Sequence, residues 1–147
     1  MRIKVKKMRS GAILPRYQTA GAAGFDFHAA IGDAVTLAPG EIQTFPIGVA
    51  VELPPGYELQ IRSRSGLAFR NHVVTLNGVG TIDADFRGEL QVVLVNHGLT
   101  DFVIEPNMRI AQGVVARHET VEWDEVDELG ETARGAGGLG STGVKNA

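Results

Sequence analysis

At 147 residues, 44% apolar and 21% charged, the chain has the size and balance of one folded domain, which excludes an intrinsically disordered protein. It has no cysteine, which excludes disulfides and thiolate zinc sites and fits a reducing, cytoplasmic setting. A net charge of −3 argues against a nucleic-acid coat, and the absence of a signal-type or membrane-length apolar run argues against secretion and membrane insertion.

RIKVK near the start alternates polar and apolar residues and predicts a half-buried strand. AVTL, IQTFPIGVAVEL, YELQIRS, HVVTLN, LQVVLVN, FVI and AQGVVAR follow, rich in Val, Ile, Leu and Thr. Turn signals cut them apart: Pro39-Gly40, Pro55-Gly56, Asn77-Gly78, Asn96-His97-Gly98 and Pro106-Asn107. Many short strands with no repeat predict an all-β sandwich, jelly roll or barrel. SGLAFRNH, residues 65–72, predicts the one short helix, with Ser65 as N-cap and Leu67, Ala68 and Phe69 facing inward. After Trp123 apolar strands give way to acids and then glycines, so residues 1–123 read as a body and 124–147 as an arm.

Five stretches carry candidate chemistry. AGFDFHAA, residues 23–30, sets Asp26 between two phenylalanines. IRSRSGLA, residues 61–68, places Arg64 and Ser65 at the helix start, where an anion meets a guanidinium and free N–H groups; a plain helix cap with exposed arginines reads as well. GTIDADFRGEL, residues 80–90, puts Asp83 and Asp85 on one face if the strand is regular, with Asp83 nearer the core; a hairpin with an Asp85–Arg87 surface pair is the plainer alternative. RIAQ, residues 109–112, joins an Arg and an amide to apolar neighbours.

RGAGGLGSTG, residues 134–143, holds five glycines in ten residues. It matches the dinucleotide pattern GxGxxG twice, yet no helix-length segment follows, and Val144 stands where a P-loop needs Lys. A loose tail and an anion-binding loop both remain open for it. The histidines at 28, 72, 97 and 118 show no metal-ligand spacing.

In order, AGFDFHA, SRSGLA, GTIDADFRGE, RIAQ and RGAGGLGSTG resemble the five motifs of the homotrimeric dUTP diphosphatases, the dUTPases, over residues 23–143. The resemblance implies a jelly-roll subunit, a homotrimer with shared active sites, and Mg²⁺-dependent hydrolysis of dUTP to dUMP and pyrophosphate. Such an enzyme keeps uracil out of DNA and supplies dUMP for thymidylate synthesis. It implies Asp83 as the general base that activates water and meets the sugar, and Phe86 on the deoxyribose. Asn77, Gly80, Thr81 and the backbone near Leu90 would frame uracil. Arg64, Ser65, Gly66 and Gln112 would hold the phosphates, and Asp26 would reach Mg²⁺ through water. Arg134, Gly138, Leu139, Gly140, Ser141 and Thr142 would come from the arm of another subunit.

The chain departs from the family pattern in places. Phe86 stands for Tyr, which leaves the ring. Leu139 stands for a Phe that stacks on uracil, so a weaker or slower-closing lid is expected. Ser63 stands for Pro before Arg64, and Gly113 for a larger apolar residue after RIAQ. A dCTP deaminase, a related fold, would need a Glu on the next strand about where Val93 lies. An inactive scaffold of the same fold would lack Asp83 or the phosphate ligands, and both are present.

Overall fold

The computed structural model describes residues 1–139. Along them run β1 (Lys4–Lys7), β2 (Phe25–His28), β3 (Val35–Leu37), β4 (Ile42–Pro46), β5 (Val49–Glu52) and β6 (Tyr57–Arg62). Helix α1 (Ser65–Asn71) comes next, then β7 (Val73–Thr75), β8 (Val79–Ile82), β9 (Gln91–Asn96), β10 (Phe102–Ile104) and β11 (Arg109–Arg117). The all-β expectation with one short helix holds, as the jelly-roll form of a distorted β-barrel. Among the described residues no helix is long and apolar enough to cross a membrane.

Every strand pair is antiparallel, in sheets ordered β1-β5, β10-β3, β2-β11-β6-β8 and β4-β9-β7. The nine-residue β11 serves as the spine, pairing β2 on one side and β6 on the other. One inward side of these sheets supplies a single core that includes Phe27, Leu37, Phe45, Leu59, Leu94 and Ile104, each almost fully buried. Four turn signals act as expected: Gly40, Gly56, Gly78 and Asn107 adopt positive φ and reverse the chain.

The structure corrects several local expectations. IQTFPIGVAVEL forms two strands because Gly48, at φ 76°, turns the chain between them; a Cβ there would lie 2.7 Å from Ala12 Cβ. β1 pairs with β5 alone, and all four of its residues stay exposed instead of half-buried. Arg64, extended at φ −86° and ψ 127°, caps α1, and Ser65 is already helical. Leu67 and Ala68 are half-buried while Phe69 is 84% exposed. At about 100° per residue, three consecutive side chains cannot share one face of a helix. β8 ends at Ile82, so Asp83 and Asp85 lie in the loop that follows. Asp83 is exposed and not turned toward the core.

Beyond β11 the last backbone tie to the body is His118 N–H to Gly56 O, at 3.1 Å. Residues 118–139 contain no strand or helix, and Trp123 is 93% exposed.

Candidate active site

Strand alternation in β2 sends Phe25 and Phe27 to one face and Asp26 to the other. The two rings meet edge to face at 5.4 Å, and Tyr17 closes on Phe25 in the same manner at 5.3 Å. This stack fills the space over Gly113 on β11, where a Cβ would come within 2.7 Å of Phe27 Cε2. A larger side chain at 113 is replaced here by aromatic edges from β2.

Asp26 is only 8% exposed, and a buried charge requires partners. Arg64 Nε donates to Asp26 Oδ1 at 3.0 Å, and Arg109 Nη1 donates to Oδ2 at 3.1 Å. Arg64 also donates from Nη1 to the carbonyl of Arg109 at 3.1 Å, so the two arginines are tied together as well as to the acid. Two guanidiniums against one carboxylate leave a net positive charge. Gln112 lies beside Asp26 in register, its Nε2 donating to Ser63 O at 2.9 Å. Its Oε1 occupies the place a Cβ on Gly24 would take, at 2.7 Å, so a glycine at 24 is what lets the amide lie flat.

Asp26, Arg64, Ser65, Gly66 and Gln112 line one cleft of about 230 Å³. Gln18 and Arg109 complete it, two residues that motif reading assigned no role. Arg109 stood within RIAQ, but nothing in the pattern connects it to an acid 83 positions away. His28 follows on the same strand; burial, foremost, holds its imidazole below the ordinary histidine value, and among the described residues its Nδ1 has no partner.

Each Asp26 oxygen already accepts one guanidinium N–H, so a bare cation bound there would sit against two arginine charges. A hydrated cation, whose waters donate to the remaining lone pairs, fits the acid as it stands. Among the described residues no group of three or more His, Asp or Glu is placed to cage a metal.

The second group lies on the β7–β8 corner and the loop after it. Asn77 Nδ2 sits over Gly80, where a Cβ would be 2.9 Å away, and Gly78 N–H closes the turn onto Thr75 O at 3.1 Å. Thr81 is exposed on β8, and Phe86 N–H returns to Asp83 O at 3.2 Å. Phe86 is 43% exposed, its ring lying over Gly88 so closely that a Cβ there would be 2.5 Å from Cζ. Arg87 spends Nη1 on the carbonyls of Ala84 and Phe86, at 2.6 and 2.9 Å, which replaces the expected surface pair with Asp85. Asp83 lines a wider cleft of about 760 Å³ that shares no residue with the arginine cleft.

Leu90 does not belong with them. It is fully buried, its N–H donating to Val49 O and its carbonyl accepting from Ile47 N–H, both within 2.9 Å. Both bonds hold Leu90 in the core, so a base framed by the backbone near Leu90 would meet the residues beside it.

The register row Asp26, Gln112, Arg62, Val79 crosses the four-stranded sheet, and Asp83 stands four residues beyond Val79. At ordinary strand spacing and rise, Asp83 is about 20 Å from Asp26. One chain therefore holds Asp83 apart from the cleft of Asp26, Arg64 and Gln112.

In the arm, Arg134 Nε donates to Gly137 O at 2.8 Å, and Gly138 and Leu139 are exposed. Gly140, Ser141 and Thr142 lie outside the described residues.

The dUTPase family model matches residues 10–143. A deoxyuridine 5'-triphosphate nucleotidohydrolase of Orientia tsutsugamushi (strain Boryong) is 49% identical, over 99% of this chain and 100% of its own. One from Rickettsia bellii (strain OSU 85-389) is 52% identical, over 97% of this chain and 95% of its own. Among solved structures, the Staphylococcus bacteriophage 80alpha dUTPase with dUPNHPP superposes with a TM-score of 0.89 at 29% identity, covering 97% of this chain and 99% of that one. A match over nearly the whole length, by family model and by relatives about half identical, shows that the chain belongs to the dUTPase family.

Proposed function

We infer that the protein hydrolyses dUTP to dUMP and pyrophosphate, acting as a homotrimer in which each site combines groups from different copies. The observation that carries the shared site is the separation of Asp83 from the Asp26–Arg64–Gln112 cleft. A general base and the phosphate ligands must act within a few ångströms of one phosphorus, and one chain holds them about 20 Å apart. A nucleotide with its base at the corner of one copy and its phosphates in the arginine cleft of a neighbour brings them together.

In that arrangement Asn77, Gly80 and Thr81 frame uracil, and Phe86 packs on the deoxyribose, leaving no room for a ribose 2′-hydroxyl. Buried polar groups matched to uracil reject cytosine by leaving donors unpaired. Asp83 takes the proton of the water that attacks the α-phosphorus. Negative charge then grows on the phosphoryl oxygens and the departing pyrophosphate. Arg64, Ser65, Gly66 and Gln112 receive it, with Arg64 held in place by the Asp26 carboxylate and the Arg109 carbonyl. Mg²⁺, when bound to the phosphates, neutralises part of that charge, and Asp26 would hold it through water.

The arm from residue 124, through Arg134, Gly138, Leu139, Gly140, Ser141 and Thr142, closes over a neighbouring site, where Leu139 covers uracil by apolar contact. The reaction removes dUTP, keeps uracil out of DNA and yields dUMP for thymidylate synthesis in the cytoplasm. Deamination is disfavoured because Val93, half-buried in β9, supplies no carboxylate.

The test is product analysis with Mg²⁺ and, in turn, dUTP, dCTP, dTTP and UTP. Pyrophosphate released from dUTP far faster than from the other three supports the reading. Uracil nucleotide from dCTP, or no product from any of the four, overturns it.

A further inference from the structure

Ser63 and Thr75 stand 12 residues apart, one just beyond the end of β6 and the other closing β7 at the corner that leads into β8. Thr75 is 2% exposed, so its N–H and its hydroxyl both need partners. Its N–H donates to Ser63 Oγ at 2.9 Å, and its hydroxyl donates to Gly78 O at 2.8 Å. The two hydroxyl oxygens are 2.9 Å apart. A hydroxyl has one proton to give, and Thr75 has spent its own on Gly78, so Ser63 must be the donor in that contact. The result is a chain of bonds with one direction: Thr75 N–H to Ser63, Ser63 O–H to Thr75, Thr75 O–H to Gly78.

This chain spans a seam. β7 belongs to the sheet with β9, and β8 to the sheet with β6, so the turn Leu76–Gly78 crosses between sheets with few backbone ties of its own. Ser63 also accepts the Gln112 amide on its carbonyl and directly precedes Arg64. The same residue therefore touches the strand end that carries the phosphate ligands and the corner that carries Asn77.

We propose that Ser63 and Thr75 are positioning residues for base selection: their paired hydroxyls fix the Asn77–Gly80 corner against the end of β6 and so set the fit for uracil. This rests on the reading of Asn77–Gly80 as the base site. Where a proline at 63 would stiffen the backbone, this chain uses a hydroxyl to anchor the neighbouring corner.

The experiment measures kcat and KM for dUTP and dCTP, with unfolding midpoints, in Ser63→Ala, Thr75→Val, both together, Ser63→Thr, Thr75→Ser and Asn77→Ala. Removing either hydroxyl should leave kcat for dUTP within about twofold and lower the dUTP-over-dCTP ratio of kcat/KM about threefold to tenfold, the weight of one or two such bonds. Ser63→Thr and Thr75→Ser should keep the ratio. The double variant should fall no further than the worse single one, because both act through one linkage. If Ser63→Ala and Thr75→Val fold and keep the wild-type ratio while Asn77→Ala loses it, the positioning role is wrong. If Asn77→Ala also keeps the ratio, the base-site reading fails first. A lower unfolding midpoint with an unchanged ratio overturns the proposal as well, and if Ser63→Ala does not fold, the Thr75→Val against Thr75→Ser comparison decides.

Discussion

A carboxylate whose task is to remove one proton can be exchanged for its amide without emptying the site around it. Asp83→Asn is therefore expected to bind a non-hydrolysable dUTP analogue about as well as the wild type, while turnover falls roughly 10³-fold, within the usual weight of a general base. Titration calorimetry and pyrophosphate release check the two halves, and near-normal turnover would remove Asp83 from the role. Gly113 makes a different kind of demand. Its missing side chain is what allows the Tyr17, Phe25 and Phe27 rings to stack on β11, and Phe27 is fully buried and has nowhere to go. Gly113→Ala should cost about 1–3 kcal/mol of stability by overpacking, despite the better strand propensity of alanine, and a denaturant melt with unchanged m-value reads it.

Elements show where motif reading succeeds and where it stops. The strands and their turns could be read because each depends on neighbours in the chain: period-two patterns and Pro-Gly or Asn-Gly pairs act locally. The groups around the site depend on contacts that no local pattern records. Arg109 reaches Asp26 across 83 positions, and Arg9 grips Glu89 across 80, through Nε at 2.5 Å and Nη2 at 3.0 Å. A place for Asp83 nearer the core assumes a strand that runs through it, but β8 ends at Ile82, and a strand's end is set by what pairs with it. The Arg9–Glu89 pair fastens the far end of the loop that bears Asp83 and Phe86. The Arg9 guanidinium, through its hydrogen bonds before its charge, holds the Glu89 carboxyl below its ordinary 4.5. An acid depressed in the fold stabilises it fully above the ordinary value and ceases to as pH falls through the lowered one. The unfolding midpoint should thus decline below about pH 4.5. Glu89→Gln should flatten that acid limb, and an unchanged slope in a pH series of melts would show that the pair contributes nothing.

For the whole molecule the central question is whether two incomplete surfaces make one catalyst. If Asp83 and Arg64 of a given site come from different copies, Asp83→Asn and Arg64→Ala proteins, each inactive alone, should restore activity when they are co-refolded. Random mixing gives a site an intact Asp83 half the time and an intact Arg64 half the time, so about a quarter of wild-type turnover is expected. No recovery in mixed assemblies, verified by mass, would mean that each chain completes its own site.

Trp123 gives the chain an optical use. It is the only tryptophan in the sequence, it marks the start of the arm, and in a single chain it is 93% open to water. An indole that moves from solvent to a protein surface shifts its emission to the blue. Selective excitation of this one ring therefore follows the root of the arm in the unmodified protein, with no added dye. If the arm crosses a neighbour in the proposed trimer, dilution toward separate chains should redden its emission, and a nucleotide analogue that draws the arm inward should shift or quench it.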